Sequence, residues 1–470
     1  MNWQLKSLFI TILFSCLQII GAQEQSKSSD TEDLEEADLL DDMEDPFNTD
    51  SDKETVSEIP DNQESTAQEG SEYKEPIIQF RGNTSAQFSF IPQSDSNSRD
   101  TGRGTATLNL VMQAKPWSLL RLFCDITGKY KLSADSENAL NTGFEIVCNQ
   151  VGLSLRPVDQ LNITLGKERR IFAPGLFVYP SEFIMIEGNL PGLENQLLGI
   201  WLLRCSYETP WLTIDTMLLP FTRVDEYGLP DLEAFNPDEI GVAGRLLWVL
   251  NGIDIGITIG YLDTTLKAGC SFSTYIVSRL ELHGELGYTL EDEHLLDIAL
   301  NYLLESGASA LLIASLQSLQ SDFQQREHVL SALLGLRWQI IDEIMISLEG
   351  YYNGNGLTAH EFEVFSAFPS IDVVSQGFFN VPNSSNIFIR RVFVIGQANF
   401  QEIYDLFNIQ LTAIIGLEDG ACLGLVRSEW LASSHSTLSI TIMGFYNPPE
   451  GQYFMRPYDW QLTGAWKISF

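Results

Sequence analysis

The sequence has few cations, few cysteines and no long apolar segment. Its 470 residues carry 27 Lys and Arg against 63 Asp and Glu, a net charge of −36, so we expect no nucleic-acid partner. No internal run reaches the ~18 consecutive apolar residues of a membrane helix. Of the six cysteines, Cys16 lies near the start. The other five have no tight spacing, which favours neither a zinc site nor a disulfide framework.

Catalytic signatures are also missing. None of the five histidines belongs to an HExxH pattern or accompanies a nucleophile motif, and no glycine-rich phosphate loop is present. We therefore expect no enzyme activity, no metal and no cofactor. A hydrolase needs only a few residues on scattered strands, so it stays open as the alternative.

What the chain does contain is strict alternation of apolar and polar residues. In the C-terminal stretch 460–470, Trp460, Leu462, Trp466, Ile468 and Phe470 alternate with polar or small residues. A period of two predicts a strand with one apolar face, and about ten residues suffice for a tilted strand to cross a bilayer. Such strands must close into a barrel in lipid because an open edge would leave backbone groups unpaired. The alternative is an edge strand of a soluble sandwich.

Similar alternation begins at Ile78 and recurs through most of the chain, with less regular runs at 144–155 and 387–400 that favour β-bulges. The breaks alternate in length. Short breaks lie at 115–117, 156–160, 207–210, 251–252, 291–294, 341–342, 401–403 and 432–436. Long breaks lie at 92–103, 132–142, 170–196, 220–238, 263–274, 306–326, 354–386 and 447–459, and the brief break 418–420 is an exception among them. This pattern predicts an all-β, antiparallel up-and-down transmembrane barrel of about 18 strands, with 16 as the alternative.

Aromatic residues lie near the predicted strand ends, which is typical of the two interfacial girdles of a membrane barrel. Four tryptophans lie beside short breaks: Trp117, Trp211, Trp248 and Trp338. Beside the long breaks lie Tyr130, Tyr261, Tyr352, Tyr446 and Trp460.

The N-terminal part of the chain differs in composition. Residues 1–22 read as a signal peptide, with Lys6, an apolar core and a small-residue cleavage site at Gly21-Ala22. A lipoprotein signal at Cys16 is the alternative. Residues 23–75 are acidic and poor in aromatics, which predicts a disordered periplasmic segment that acts as a solvating tail or an interaction arm. Residues 76–470 then form the outer-membrane barrel.

Two further features have competing interpretations. Asp225, Glu226, Asp231, Glu233, Asp238 and Glu239 form an acidic loop that could bind calcium, but their spacing fits no defined calcium loop, and surface solvation is favoured. In simple antiparallel register Cys124 and Cys148 face each other on consecutive strands. We expect two free, lipid-facing thiols, with a disulfide as the alternative.

Several stretches resemble large porin-type barrels of the alginate-export kind. They are 165–170 (LGKERR) followed by Pro174-Gly175, 218–221 (LLPF) with Leu229-Pro230, and 348–356 (LEGYYNGNG). The terminal Phe470 resembles the last residue of Gram-negative outer-membrane barrels. That resemblance implies recognition by the barrel-assembly machinery, a location in the cell outer membrane among its lipids, and a channel function; it says nothing of oligomeric state.

A barrel of this size encloses a water-filled lumen, so its inward charged residues are the candidate site. The candidates for lining or constricting the pore are Arg121, Lys167, Arg169, Arg170, Arg245, Arg279, Glu281, Glu285, Arg337, Glu343 and Glu349. Any one of them could equally be one of many solvated wall residues.

The long break 170–196 is unusually apolar, with Ile171, Phe172, Leu176 and Phe177, which predicts that it folds into the lumen and constricts it. Cations at its start would then face acids on the opposite wall. Opposed charges across a constriction favour small hydrophilic solutes. We therefore expect a porin-like diffusion channel. A structural, adhesin or interaction barrel that acts through its outer loops or acidic arm is the alternative.

Overall fold

The computed structural model describes residues 78–91, 101–117, 119–134, 140–169, 173–175, 178–183, 199–221, 240–262, 264–291, 327–366, 390–446 and 460–470. The predicted signal peptide, the acidic segment 23–75 and the acidic loop with Asp225 lie outside these residues. The boundaries proposed for the first two therefore stay predictions.

Eighteen strands account for most of the described chain. They are β1 (Ile78–Ile91), β2 (Thr101–Trp117), β3 (Leu120–Ala134), β4 (Leu140–Val158), β5 (Leu161–Glu168), β6 (Ile200–Thr209), β7 (Leu212–Phe221), β8 (Gly241–Leu250), β9 (Ile253–Leu262), β10 (Thr265–Val277), β11 (Leu280–Glu291), β12 (Glu327–Ile341), β13 (Ile344–Tyr352), β14 (Val392–Ile403), β15 (Phe407–Gly416), β16 (Cys422–Ser433), β17 (Ser436–Tyr446) and β18 (Trp460–Ser469).

The strands form one closed antiparallel barrel. Each strand pairs with its neighbours in sequence, and β1 pairs with both β2 and β18. At the seam, Gly82 and Phe470 exchange two backbone hydrogen bonds of 2.9 Å each. Closure leaves no strand edge unpaired in lipid, as a membrane barrel requires. The predicted strand number, the start near Ile78 and the closure between the first and last strands are confirmed.

Alternation divides every strand between an outer apolar face and an inner face. Leu334, Leu348 and Ile440 are half exposed on the outside. Trp117 and Trp338 are exposed on the outer surface at the end of the barrel with the short turns, and Tyr130 and Tyr446 at the other end. The predicted aromatic girdles are thus present at both ends.

Helix is scarce among the described residues. The described helix, α1 (Ala359–Ser366), begins with a capping box in which Thr358 and Glu361 each bond to the other's backbone N–H. Within the described ranges, no helix combines the length and the apolar character needed to cross a bilayer.

One predicted long break is wrong. Residues 263–274 were expected to form an outer connection, but strand β10 occupies Thr265–Val277 and is followed by a short turn at 278–279. The strand is rich in small residues, including Ala268, Gly269 and Ser271, which weaken the apolar alternation. The short break predicted at 291–294 and the long one at 306–326 fall almost wholly in 292–326, outside the described residues.

The predicted register of the two cysteines is also wrong. A β-bulge at Asn149, in one of the two runs where irregular alternation favoured one, shifts the pairing, so that Cys124 lies opposite Val151 and Cys148 opposite Ile126. Both cysteines are free thiols on the outer face. The prediction of two unbridged, outward-facing thiols is confirmed.

Candidate pore wall and its inward loop

The inner wall can be followed from strand to strand through the cross-strand pairs. Across the seam, the Ser89 and Thr463 hydroxyls lie 3.1 Å apart on the inner face. The inner-face positions of β1 that begin with Gln79 and end with Ser89 are all hydrophilic: Gln79, Arg81, Asn83, Ser85, Gln87 and Ser89. The wall is therefore polar over the full height of the barrel at this strand.

The inner face from β18 through β4 carries an excess of cations, although the whole chain is strongly acidic. Six cations lie at its cross-strand paired positions: Lys467, Arg81, Arg103, Arg121, Lys129 and Lys131. The other charged residues at paired positions of this face are Asp125 and Glu145, and Arg156 lies outside the pairs near the end of β4. We call this surface the basic sector. Arg121 lies near the short-turn end and Lys131 near the opposite end, so positive charge is present at both mouths.

The two acids of the basic sector are held by neighbours. Lys131 and Glu145 form an ion pair of 2.6 Å. Asp125 accepts hydrogen bonds from the side-chain amides of Asn109 at 2.8 Å and Asn149 at 2.9 Å. By contrast, Arg81, Arg103 and Lys467 form no ion pair with any residue in the described ranges. The net field of this wall is therefore positive.

A second charged group lies on β5–β8 and is internally neutralised. The buried Arg204 guanidinium binds both Glu168 carboxylate oxygens at 3.0 Å and Asp215 at 3.1 Å. Arg245 approaches the other oxygen of Asp215 at 3.9 Å. Two cations thus face two acids across four strands. This network links four neighbouring strands and leaves little net charge to act on passing ions.

The loop between β5 and β6 is anchored to the wall by Glu285 of β11. Its buried carboxylate accepts hydrogen bonds from Gly175 N–H at 2.7 Å, Ser181 N–H at 3.1 Å and the Ser181 hydroxyl at 2.8 Å. Arg337 of β12 adds a bond to the Pro174 carbonyl at 3.3 Å. Hydrogen bonds to an ionised acceptor are stronger than neutral ones, so Glu285 is the main polar anchor.

A charged network on β11–β13 lies next to this anchor. Arg337 binds Glu281 at 3.1 Å, and the fully buried ring of His283 contacts Glu349 through Nε2 at 3.0 Å. His283 Nδ1 lies 3.8 Å from Glu281. Gly335 makes room for this pair, because a side-chain carbon there would overlap the histidine ring.

Inner-face glycines form the bed on which the loop lies. A side-chain carbon at Gly269 of β10 would overlap the backbone of Ser181, and one at Gly287 of β11 would overlap the Pro180 carbonyl. At Gly260 of β9 it would come within 2.8 Å of the Phe183 ring. Only glycine allows this close approach of backbone to backbone.

Apolar contacts also hold the loop against the inner wall. Val178 packs into a buried cluster with Leu333, Tyr351 and Phe393, and Phe183 packs against a second cluster that includes Leu219 and other inner-face residues of β6–β9. The described parts of the loop, 173–175 and 178–183, therefore lie against the inner wall. The predicted inward folding of this loop is confirmed for those residues.

These clusters show that the wall of the lumen is not polar throughout. On β14–β17 the inner-face residues nearest the long connections are apolar and buried: Phe393, Ile395, Ile414, Leu423, Leu425, Met443 and Phe445. Polar residues such as Gln397 and Thr441 take over nearer the short turns. In the basic sector the inner face of β1 is hydrophilic from Gln79 to Ser89, and the apolar inner-face residues of β2–β4 are Val111, Phe123 and Val147.

The sequence-predicted site residues fall into separate groups. Four of them come together next to the loop: Glu281, Glu285, Arg337 and Glu349. Arg121 lies elsewhere on the inner face, where it donates to Gln113 at 2.8 Å. Glu285 was expected to face the loop across the lumen, but it binds the loop directly. Arg245 is paired with Asp215, so it adds to the neutralised group rather than to a positive field.

The remaining predicted residues lie elsewhere. Lys167 is fully buried and donates to the Cys148 carbonyl at 2.7 Å. Arg169 is partly exposed just beyond β5, and Arg170 lies outside the described residues. Arg279 and Glu343 lie in short turns, where Arg279 pairs with Asp342 at 3.2 Å.

Sequence reasoning missed several wall residues. Arg103, Lys131 and Lys467 occupy the same inner face as residues that alternation does identify, so period-two counting carried through each strand could have found them. No local signal marks Ser181 or the glycine bed, because both depend on contacts between distant segments. In the part of the chain that the structure describes, no group of three or more His, Cys, Asp or Glu is arranged to hold a metal.

No protein-family model and no curated protein matches the sequence. Solved structures do. OccAB4 of Acinetobacter baumannii aligns at a TM-score of 0.50 and 9% identity, over 84% of this chain and 99% of that chain. OccK2 (OpdF) of Pseudomonas aeruginosa, solved in complex with glucuronate, aligns at 0.49 and 10% over 84% and 96%. OpdQ of Pseudomonas aeruginosa aligns at 0.48 and 9% over 84% and 99%. At such identities the likeness concerns the fold, and this chain has the fold of an outer-membrane porin-type barrel.

Proposed function

We propose that this protein is an outer-membrane channel through which small hydrophilic solutes diffuse, and that it prefers anions. The observation that carries the proposal is the basic sector, an inner surface with six cations at its paired positions and two acids that neighbouring side chains hold. A wall charge of one sign raises the local concentration of ions of the opposite sign and biases their passage.

The loop seated on β9–β12 supports a narrowed pore. A barrel of about 18 strands leaves an aqueous interior, and a segment packed against one side of that interior reduces its cross-section. In this arrangement the solute path lies between the loop and the basic sector. The geometry therefore supports a channel for small solutes.

Planar-bilayer recording of the refolded protein tests the proposal. In a KCl gradient, the reversal potential should show anion preference. A variant with Arg81, Arg103, Arg121 and Lys131 replaced by Gln should lose that preference, because it removes four of the six wall cations. Arg279→Gln is the matched control, since that residue lies in an exposed turn outside the basic sector.

Absence of conductance would overturn the channel proposal and favour the interaction barrel. Conductance without anion preference, or with a preference that is unchanged in the four-residue variant, would overturn the role of the basic sector but not the channel itself.

We further propose that the N-terminal segment is periplasmic and that Phe470 serves as the signal for barrel assembly. Phe470 is 63% exposed next to the seam. Its backbone is engaged with Gly82 and its ring lies beside Gly82, so the exposed side of the ring is the proposed recognition feature. Protease accessibility of an epitope tag placed in 23–75, in intact and in permeabilised cells, tests the location.

A further inference from the structure

The outer surface carries an apolar groove across β10–β14, on the side of the barrel where the loop is seated inside. It is an open groove of about 510 Å³, lined by outward residues such as Phe272, Gly284, Leu286, Ala332, Leu334 and Gly350. A volume of this size is within the range of about 300–1,000 Å³ that holds small ligands.

Small residues leave the groove open on β12 and β13, whereas the Phe272 ring covers Gly284 on β11. Gly284 pairs with both Phe272 and Leu334, and Leu334 pairs with Gly350. Ala332 lies opposite Leu286 in the next outward row. A side-chain carbon at Gly350 would meet no atom closer than the Leu334 carbonyl at 3.9 Å, so the space over this glycine is open.

A polar pair, which we call the rim, lies beyond Leu286 toward the end of the barrel with the long connections. Tyr288 lies two residues beyond Leu286, and its hydroxyl bonds to Nδ1 of His328 at 2.6 Å. The two rings also stack, with centroids 6.0 Å apart. Tyr352 lines the groove at the same end and is 40% exposed. Aromatic residues with a polar tip are typical of the level where acyl chains meet headgroups.

We propose that this groove binds one acyl chain of an outer-leaflet lipid, whose headgroup lies at Tyr288 and His328. The groove opens onto the outward apolar belt, which faces bilayer hydrocarbon, so its occupant must be apolar. The rim pair lies about two residues, or about 7 Å, above the groove lining, where a polar headgroup would follow the chain. The proposal depends on the membrane-barrel fold and not on conduction, so the two can fail separately.

A second copy of this chain is the competing occupant. A stable protein interface buries about 1,200–2,000 Å² and has matching polar groups at its edge. The groove is a narrow indentation between projecting side chains such as Leu334, which is 59% exposed. A flexible chain enters such an indentation more readily than the wall of another barrel.

Native mass spectrometry of the refolded protein in detergent tests the proposal, with lipid A and phosphatidylethanolamine added separately. The variant Gly350→Leu fills the groove. The matched control is Gly464→Leu on β18, where a new side-chain carbon also meets nothing within 4 Å. Gly350→Leu should reduce the bound lipid about tenfold at equal lipid concentration, because several methylene groups lose their burial. Gly464→Leu should bind as the wild type does.

The double variant Tyr288→Phe with His328→Ala tests the rim and leaves the groove intact. Faster lipid loss from it supports headgroup contact, and the lipid with the larger effect identifies the source. Ala332→Leu replaces Gly350→Leu if the latter does not fold. Equal lipid retention by the wild type and the groove-filling variant would overturn the proposal. So would loss of an oligomer, without loss of lipid, in that variant.

Discussion

Replacing Glu285 by Ala should release the inward loop from the wall. The change removes the acceptor of three hydrogen bonds from Gly175 and Ser181 and leaves two backbone N–H groups without their partner. The bond from Arg337 to Pro174 and the packing of Val178 remain. The variant therefore weakens the seat without removing it.

The size of the effect follows from the contacts. A hydrogen bond to a charged group contributes about 1.5–3 kcal/mol, and a buried donor left unpaired costs about 1–3 kcal/mol. The three bonds share one carboxylate, and removing that buried charge returns part of its desolvation cost. We expect a net loss of about 3 kcal/mol in the stability of the seated loop. That value raises the unseated fraction about a hundredfold.

Single-channel recording in planar bilayers measures this change directly. Glu285→Ala should give a larger mean conductance and more current noise than the wild type, because the loop samples positions away from the wall. Glu285→Gln should fall between the two, since one amide oxygen still accepts. Glu343→Ala, in an exposed turn, is the control for loss of a carboxylate.

Folding must be checked in parallel, because a collapsed barrel would also change conductance. Heat-modifiable migration in gels should stay that of the wild type. Unaltered conductance and noise in a folded Glu285→Ala barrel would refute the reasoning, since they would show that the loop is held without its main polar anchor.

Three other changes have defined outcomes. Gly269→Leu should unseat the loop and raise conductance as Glu285→Ala does, whereas Gly464→Leu should not; equal conductance of both variants would count against the glycine bed. Replacing Arg169 and Arg170 by Ser should shift the ion preference toward cations, measured by the reversal potential, because it removes positive charge at the start of the loop. An unchanged reversal potential would show that both residues lie outside the ion path. Deleting Phe470 should reduce the amount of barrel in the outer membrane at least severalfold, measured by fractionation and immunoblotting. Normal insertion of the truncated chain would show that Phe470 is not part of the assembly signal.

Closure of the barrel could be predicted from the sequence alone. Period-two alternation is a local property of each strand, and it is strong in β1 and β18, whose pairing ends at Gly82 and Phe470. The requirement that no edge stays open in lipid then joins the first strand to the last. The alternating lengths of the breaks predicted the strand number, and the aromatic residues near the strand ends predicted the girdles.

The errors arose where alternation is weak or where one residue is added. Strand β10 was missed because small residues occupy it, and those small residues are needed for the loop to approach Gly269. The register of Cys124 and Cys148 was missed because a single extra residue at Asn149 shifts one strand against the other. Neither effect changes the average pattern of the sequence.

The charge pattern of the lumen was decided by tertiary structure. The sequence alone determined that acids and bases face inward, since strand alternation specifies the face. It could not show that Arg204 and Arg245 are neutralised by Glu168 and Asp215, or that Glu285 binds Ser181 across 104 residues of chain. Such pairings depend on which strands become neighbours and on where a loop folds, and a local pattern contains neither.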